Sequence, residues 1–265
     1  MTDKVLHHVG GNYYFANEPK VHNQLFPSTF RMLIVGPSGC GKTTLLMRLL
    51  LEKELINYDK LYVFAPSLDQ NEYKVLQAGF ENGLNKKNIF YLLNSGDLLA
   101  KKWKGDIPTI DTVAIGLAET QKTPSEITAE FYKNESNIPT IDELDKDIRK
   151  LIVFDDIMMN RKQSTAESYY TRGRSAGCDS IYLSQNYTRL PLHSIRSNAN
   201  FQIFFKSSED VVRQLHKEFA SVDMPLQEFK DFCHKAWSKK HGFIVIDFSH
   251  DFESGNKYRN RLELN

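Results

Sequence analysis

The hydrophobic residues of this chain form short runs that alternate with longer stretches of mixed polar and apolar character. Apolar runs of about four to eight residues are typical of buried strands, and apolar residues repeated every three or four positions are typical of amphipathic helices. We therefore predict strands at 30–35, 60–66, 88–93, 151–154, 179–184, 201–205 and 241–247, the last of them closing the series. Predicted helices cover 44–51, 71–80, 161–175, 208–219 and 226–237, with a short turn or helix at 192–200.

Two parts of the chain lack this alternation. Residues 1–28 are predicted to form an irregular lead-in to a single domain over 29–265. Between about 100 and 150 the pattern weakens, and we predict an insertion of short helices and loops. Helix starts are indicated at 123–126 and 138–145, where hydroxyl and acidic residues favour a first turn.

Strands that alternate with helices favour an α/β fold, in which a mostly parallel sheet carries helices on both faces. In such a fold ligands bind at the carboxyl ends of the strands. The 265 residues are 41% hydrophobic and 25% charged, which is ordinary for a soluble globular protein. No apolar run approaches the roughly 18 residues that a membrane helix needs, and the N-terminus lacks the pattern of a signal peptide.

Net charge and cysteine content indicate which partners and which redox environment to expect. The net charge of +1 provides no global attraction to nucleic acid, so DNA contacts would have to be local or repeated by assembly. Cys40, Cys178 and Cys233 share no metal-like spacing. Reduced thiols in a soluble, intracellular protein are therefore expected.

One stretch matches a phosphate-binding motif at every required position. Residues 36–43 fit G-x-x-x-x-G-K-[ST], between a predicted strand and a predicted helix. Its glycines let successive backbone N–H groups point at phosphate oxygens, next to the positive end of the helix. Lys42 is expected to reach the β- and γ-phosphates of ATP, and the Thr43 hydroxyl to ligate Mg²⁺. The nucleotide-binding residues are thus predicted to be Gly36, Pro37, Ser38, Gly39, Cys40, Gly41, Lys42, Thr43 and Thr44. A chance glycine-rich turn is the alternative, and it would not explain why both flanks fit.

A second motif follows the strand predicted at 151–154, which delivers Asp155 and Asp156 at its carboxyl end. Two adjacent carboxylates at a buried edge are costly unless a cation or ligand lies nearby. A Walker B strand accounts for both, because Asp155 would hold Mg²⁺ through water and Asp156 would orient the attacking water. A solvated turn after a strand is the alternative.

With the downstream motifs included, the chain resembles the FtsK/HerA superfamily of DNA-pumping ATPases. It is most similar to the poxvirus-type genome-packaging ATPases of large DNA viruses, virophages and Polinton-like elements. The resemblance runs from about residue 30 to residue 248. Its most specific part is RSAGCDSIYLSQ at 174–185, followed by 190–191, 195–198 and 201–205.

This resemblance implies a RecA-like (ASCE) P-loop core, with a further strand between the two Walker strands. Gln185, at the end of that strand, resembles the family's sensor glutamine near the γ-phosphate. Arg174 is placed where an arginine could act across a subunit interface, with Arg172 and Arg196 as rivals and capping of the preceding helix as an alternative role. Many family members have glutamate at the position of Asp156, which leaves the water-orienting role less secure here.

The function implied is an ATP-driven motor that moves double-stranded DNA into a preformed viral capsid. The family assembles into homo-oligomeric rings, so partners would be DNA, further copies of the chain and a capsid or portal vertex. The expected location is the site of virus assembly, in the cytoplasm or nucleus of a host cell, or the virion itself.

Three alternatives remain open: a cellular DNA pump or conjugation ATPase, a nucleotide kinase, and a P-loop interaction module without catalysis. DNA contacts are equally open. Basic residues surround Trp103 (Lys101, Lys102 and Lys104) and Trp237 (Lys235, Lys239 and Lys240). Each cluster could line a pore, or could be a solvated face above a packed tryptophan.

Overall fold

The computed structural model describes residues 7–9, 12–14, 22–53, 55–102, 109–157 and 163–262. Two short strands form an antiparallel pair near the N-terminus, β1 (His7–Val9) and β2 (Asn12–Tyr14). The main sheet has eight strands: β3 (Arg31–Val35), β4 (Lys60–Phe64), β5 (Thr128–Tyr132), β6 (Lys150–Asp155), β7 (Cys178–Ser184), β8 (Phe201–Phe205), β9 (Phe243–Asp247) and β10 (Tyr258–Arg259).

The described α-helices pack around this sheet: α1 (Lys42–Leu51), α2 (Asn71–Glu81), α3 (Lys86–Lys102), α4 (Ile110–Thr120), α5 (Ser164–Arg172), α6 (Glu209–Leu215) and α7 (Leu226–Trp237). Single turns of 3₁₀-helix occur at Glu135–Asn137, Ile141–Glu143, Gly173–Ala176 and Arg196–Asn198, and α6 continues into a π-helical turn at His216–Ala220. The helices predicted at 71–80 and 226–237 are confirmed to within a residue at each end.

The strand order of the main sheet is β10-β9-β8-β3-β7-β6-β4-β5. From β8 to β5 all neighbours are parallel, whereas β9 and β10 are antiparallel to their neighbours. The predicted mostly parallel sheet is therefore confirmed. So is the further strand, since β7 lies between β3 and β6.

Alternate residues along the buried strands point to opposite faces of the sheet. Met32 and Ile34 join one hydrophobic cluster with α1, α2, α3 and α4, and Leu33 and Val35 join a second cluster with α5, α6 and α7. Helices cover both faces of the central strands, which explains why most residues of these strands are apolar.

The strand predicted at 88–93 is wrong, because these residues lie inside α3. The Asn85 side chain accepts the backbone N–H of Asn88 at 2.9 Å and caps the start of the helix. Ile89 and Leu92 are buried while Tyr91 is 57% exposed, which is a helical and not an alternating pattern. The asparagine cap at Asn85 is the sequence feature that favours a helix over a strand here.

The region between 100 and 150 contains more than helices and loops, because β5 adds a strand to the main sheet beside β4. The helix start predicted at 123–126 is wrong. The Ser125 hydroxyl accepts the N–H of Ile127 at 3.1 Å, which makes a turn ahead of β5. At 138–145 the predicted start forms only one 3₁₀ turn, capped reciprocally by Thr140 and Glu143.

Both ends of the chain are more ordered than predicted. The N-terminal residues expected to be irregular contain β1 and β2, and the strand at 243–247 is followed by β10. Arg259 of β10 is 2% exposed and donates to Asp247 at 2.9 Å. This arginine is thus an integral part of the fold.

A buried carboxylate ties the lead-in to the sheet at its amino edge. Asp179 of β7 accepts the N–H of Phe30 at 2.8 Å, the Nε of Arg149 at 3.0 Å and the Nε2 of His22 at 3.0 Å. His22 Nδ1 in turn accepts the N–H of Asn57 at 3.0 Å. A ring that accepts at Nδ1 and donates at Nε2 is neutral.

We expect this neutral histidine to make the protein less stable in mild acid. Burial lowers the pKa of His22 below its ordinary value of 6.5, although Asp179 opposes the shift. Below about pH 6.5 the unfolded chain then binds one more proton than the folded one, so the free energy of unfolding falls by up to about 1.4 kcal/mol per pH unit. Urea unfolding between pH 7.5 and 5.5 measures this slope.

The variant His22→Gln retains a donor toward Asp179 and does not titrate, so its slope should be shallower than that of the wild type. The matched control is His193→Gln, since the His193 side chain is exposed and has no hydrogen-bond partner among the described residues. Equal slopes for the wild type and His22→Gln would contradict the expectation.

Candidate functional site

The strand register brings the two sequence motifs to one edge of the sheet. Val35 at the end of β3 lies opposite Ser184 of β7, and Asp155 at the end of β6 lies opposite Leu183. All three strands are parallel, so the loop after Val35, the carboxylates after Phe154 and the amide of Gln185 leave the sheet side by side. The structure therefore brings together residues that lie up to about 150 positions apart.

The loop at 36–43 has the backbone that a phosphate-binding turn requires. Gly39 and Gly41 have φ values of 72° and 110°, which non-glycine residues rarely adopt. Position 36 has room only for glycine, since a Cβ there would lie 2.6 Å from the Cβ of Phe205 and 2.8 Å from the Sγ of Cys40. The loop thus packs against the end of β8, while Pro37, Ser38 and Gly39 are exposed at its tip.

This loop presents donors to the solvent at the start of α1. Among the described residues, the N–H groups of Gly41, Lys42 and Thr43 donate to no backbone carbonyl, and that of Lys42 lies against the Sγ of Cys40. They lie at the positive end of a ten-residue helix, which favours an anion. The Lys42 Nζ donates to the carbonyls of Gly36 at 2.7 Å and Pro37 at 3.0 Å, so its charge lies over the same loop. Thr44, on the first turn, is exposed.

Asp155 is held in place from a second element. It is 8% exposed, and its Oδ2 accepts the hydroxyl of Tyr73 of α2 at 2.5 Å. Burial raises the pKa of Asp155, with Asp156 adding to the rise and Lys42 and the Tyr73 hydroxyl opposing it. A carboxylate that is penalised by burial gains from a nearby cation.

Asp156 adopts a left-handed backbone conformation, with φ of 52°. Its side chain is exposed, and its Oδ2 accepts the Nε2 of Gln185 at 3.0 Å. Aspartate and asparagine tolerate this conformation better than longer side chains do. The backbone therefore provides a physical reason why the second acid here is aspartate.

The residues present fit a hard divalent cation. The described residues contain no group of three or more His, Cys, Asp or Glu side chains that could enclose a metal ion. A buried carboxylate (Asp155) and a hydroxyl in the loop at 36–43 (Thr43) are oxygen ligands of the kind that suit Mg²⁺ when substrate phosphates and water complete its shell.

The three candidate arginines differ in their surroundings. Arg196 is 7% exposed, lies 3.4 Å from Glu218 and stacks over the ring of Tyr187. Arg172 is exposed and donates to the Ser168 hydroxyl. Arg174 is exposed, and its side chain has no hydrogen bond or ion pair within the part of the chain that the structure describes. It precedes β7, so it lies at the amino edge of the sheet, opposite the loop at 36–43.

The structure describes one of the two predicted basic clusters, the one around Trp237. Trp237 is 8% exposed and donates from Nε1 to the carbonyl of Phe204 at 3.0 Å, so it is packed beneath the exposed Lys235, Lys239 and Lys240. The side chains around Trp103 lie outside the described residues. No described helix has the length and apolar character needed to cross a membrane.

Sequence reasoning missed two side chains at this edge. Tyr73 belongs to no motif, and only its place on the helix after the second core strand could have suggested it. His241 precedes β9, the antiparallel neighbour of β8, and its Nδ1 lies 2.9 Å from the carbonyl oxygen of Cys40 inside the loop. Residues 238–242 carry no pattern that would have indicated this contact.

A comparison with known protein families gives a match, and it includes the loop at 36–43. The profile of a family described as Poxvirus A32 protein matches residues 20–78, which include the loop at 36–43, α1, β4 and most of α2. The predicted resemblance to poxvirus-type proteins is thus confirmed over this stretch. A comparison with curated proteins found no match.

Similar solved structures are distant. The genome packaging NTPase B204 from Sulfolobus turreted icosahedral virus 2, in complex with ATP-gammaS, is 12% identical over 87% of this chain and 95% of that chain, with a TM-score of 0.48. VirB4 of Thermoanaerobacter pseudethanolicus is 12% identical over 84% and 87%, with a TM-score of 0.45. The bacterial conjugative coupling protein TrwB is 12% identical over 72% of each chain, with a TM-score of 0.34. At such distances the chemistry has to be inferred from the residues of this chain.

The left-handed conformation of Asp156 leads to a prediction about stability. Asp156→Asn should leave the free energy of unfolding within about 0.5 kcal/mol, because asparagine tolerates φ near 52°. Asp156→Glu should lower the free energy of unfolding by about 1 kcal/mol, because glutamate adopts a left-handed backbone less readily than the shorter aspartate. Urea unfolding of both variants measures the difference. A glutamate variant as stable as the wild type would show that the position is not strained.

Proposed function

We propose that this protein is an ATP-driven motor that translocates double-stranded DNA into a preformed viral capsid. The observation that carries the proposal is the convergence, at one edge of a sheet with β7 between β3 and β6, of a complete phosphate-binding loop, two carboxylates and Gln185. The match to the Poxvirus A32 family over the same loop supports it. B204, whose fold resembles this one only distantly, is a genome packaging NTPase.

The loop would bind the phosphates of ATP. The N–H groups of residues 41–43 and the start of α1 offer a positive concave surface to the β-phosphate. Lys42, which in this structure donates to the carbonyls of Gly36 and Pro37, would exchange those neutral acceptors for phosphate oxygens and neutralise charge that develops during hydrolysis.

Magnesium would be held by the Thr43 hydroxyl and, through water, by Asp155. When bound, the ion supplies positive charge to the β- and γ-phosphates. Tyr73 leaves one oxygen of Asp155 free for this purpose while fixing the other. Asp156 and Gln185, joined at 3.0 Å, would then orient the attacking water and contact the γ-phosphate, with Asp156 as proton acceptor.

Catalysis would be completed between neighbouring copies in a ring. Arg174 lies just before a seven-residue strand, and Gln185 lies just after it, so about 20 Å of sheet separates Arg174 from the loop of its own chain. Its guanidinium is exposed and has no partner among the residues that the structure describes, which suits a contact with the nucleotide of a neighbour, where an arginine favours phosphoryl transfer. Arg196 is buried against Glu218, and Arg172 is already engaged with Ser168, which makes both weaker candidates.

This function requires three partners: double-stranded DNA, further copies of the chain in a ring, and a capsid or portal vertex. Its location would be the site of virus assembly in an infected cell. The chain has a net charge of only +1, so DNA affinity would come from repetition of local basic contacts around a ring. Exposed Lys235, Lys239 and Lys240 are one such group.

The proposal predicts ATP hydrolysis that rises when double-stranded DNA is added. Lys42→Ala and Asp155→Ala should each abolish turnover, the first by removing a cation at the phosphates and the second by loss of Mg²⁺. Asp156→Asn should still bind a fluorescent ATP analogue and hydrolyse it at least a hundredfold more slowly, roughly the contribution of a general base. Steady-state phosphate release with and without DNA measures all three.

Lys146→Ala is the control for loss of a lysine, since this side chain is exposed and precedes β6, at the sheet edge opposite the loop. Wild-type turnover in Lys42→Ala would refute the assignment of the site. Hydrolysis that DNA leaves unchanged would contradict the motor, and phosphate transfer to a nucleotide would indicate a kinase instead.

Action of Arg174 across an interface predicts a distinct mixing behaviour. Arg174→Ala should bind ATP normally and be inactive, and addition of Lys42→Ala protein should restore part of the turnover. In a mixed ring, an intact Arg174 from one variant faces an intact loop of the other. Phosphate release from mixtures, with ring composition checked by native mass spectrometry, measures the rescue.

An absence of rescue in rings shown to be mixed would exclude Arg174 from this role. The same experiment with Arg172→Ala serves as the comparison, because both arginines lie at the same exposed end of α5.

A further inference from the structure

His241 reaches the phosphate-binding loop from the opposite end of the chain. It lies in the turn between α7 and β9, and β9 runs antiparallel to β8, so this turn is at the same sheet edge as the loop. The imidazole Nδ1 is 2.9 Å from the carbonyl oxygen of Cys40. A carbonyl only accepts, so Nδ1 carries the hydrogen and donates. The ring also lies against Gly41, where an added Cβ would be 3.3 Å from Nδ1.

The turn that holds His241 is constrained from both sides. His241 has φ of 58°, a left-handed value that is uncommon outside glycine, although histidine, asparagine and aspartate adopt it more readily than other side chains. Gly242 approaches α7 so closely that a Cβ would lie 2.0 Å from the carbonyl of Ala236. Trp237 at the end of α7 donates a hydrogen bond from Nε1 to the carbonyl of Phe204. A strained residue in a rigid surrounding is a feature of functional positions.

The bond to Cys40 determines where the next N–H points. The peptide between Cys40 and Gly41 is trans, so its C=O and N–H point in opposite directions. Holding the Cys40 oxygen toward His241 therefore turns the Gly41 N–H away from His241. Among the described residues, that N–H is one of the groups at the start of α1 that donate to no backbone carbonyl. Without the bond, the peptide with its flexible glycine would be free to rotate.

We propose that His241 is a positioning residue of the nucleotide site, which orients the Cys40–Gly41 peptide so that its N–H faces the bound phosphates. The inference rests on the proposed ATP-binding function of the loop. Its distinctive feature is that only the Nδ1 donor is required. Nε2 and the charge of the ring have no part in it.

Two substitutions separate this role from a merely structural one. His241→Asn places an amide nitrogen where Nδ1 lies and tolerates the left-handed backbone, so it retains the donor. His241→Gly removes the donor and relieves the strained φ, so the fold should be at least as stable. We expect the Kd for a non-hydrolysable ATP analogue with Mg²⁺ to rise about tenfold in His241→Gly, the size of one lost hydrogen bond, and less than threefold in His241→Asn.

Inorganic pyrophosphate is a second probe, because an effect on the phosphate loop should not depend on the base or ribose. His193→Asn and His193→Gly are the matched controls at an exposed histidine away from the loop, and thermal unfolding shows whether each variant is folded. Both controls should bind like the wild type.

The outcomes are distinguishable. Wild-type affinity in folded His241→Gly, or equal weakening in the asparagine and glycine variants, would overturn the role of the Nδ1 donor while leaving the proposed function intact. Weakening for the ATP analogue but not for pyrophosphate would also overturn it, since the histidine would then contact the nucleoside. Failure of the wild type to bind either probe would refute the proposed function itself.

Discussion

The insertion of β7 between β3 and β6 is the constraint on which the rest of the site depends. Because these strands are parallel and in register, the loops that follow β3, β6 and β7 all begin at the same edge of the sheet. Short loops are therefore sufficient to bring their residues together. Both faces of these strands are covered by helices, which leaves that edge as the exposed part of an otherwise dry sheet. The polar residues of the site are therefore concentrated where backbone groups can still be solvated.

Those parts of the fold that are buried on both faces could be predicted from the sequence, and the half-exposed parts could not. The strands β3, β6, β7 and β8 are recognisable because each contains at least two consecutive large apolar residues, even though β7 includes Asp179 and Ser180 and β8 includes Gln202. The edge strand β5 has the sequence TAEFY, whose side chains are only partly buried, so its pattern is weak. The residues at 88–93 are apolar enough for a strand, and only the cap at Asn85, together with the packing of Ile89, makes them a helix.

For the site, local motifs predicted which residues carry the chemistry but not what holds them. The loop at 36–43 and the pair Asp155 and Asp156 follow from spacing alone. The left-handed backbone of Asp156, the phenol of Tyr73 and the imidazole of His241 depend on tertiary packing between distant elements. Such supporting contacts leave no periodic trace in the sequence, because a single side chain on an otherwise ordinary helix or turn is sufficient.

The contact between Cys40 and His241 also bears on how the protein matures. These residues are 201 positions apart, and the β8 residue Phe205, against which Gly36 packs, is almost as distant. During synthesis the loop leaves the ribosome long before the elements that support it, since chains emerge from the N-terminus at about 5–20 residues per second. The phosphate-binding loop is therefore made well before the residues that complete it. A nascent or truncated chain carries the whole sequence motif without a finished site, which separates the presence of the motif from the capacity to engage nucleotide.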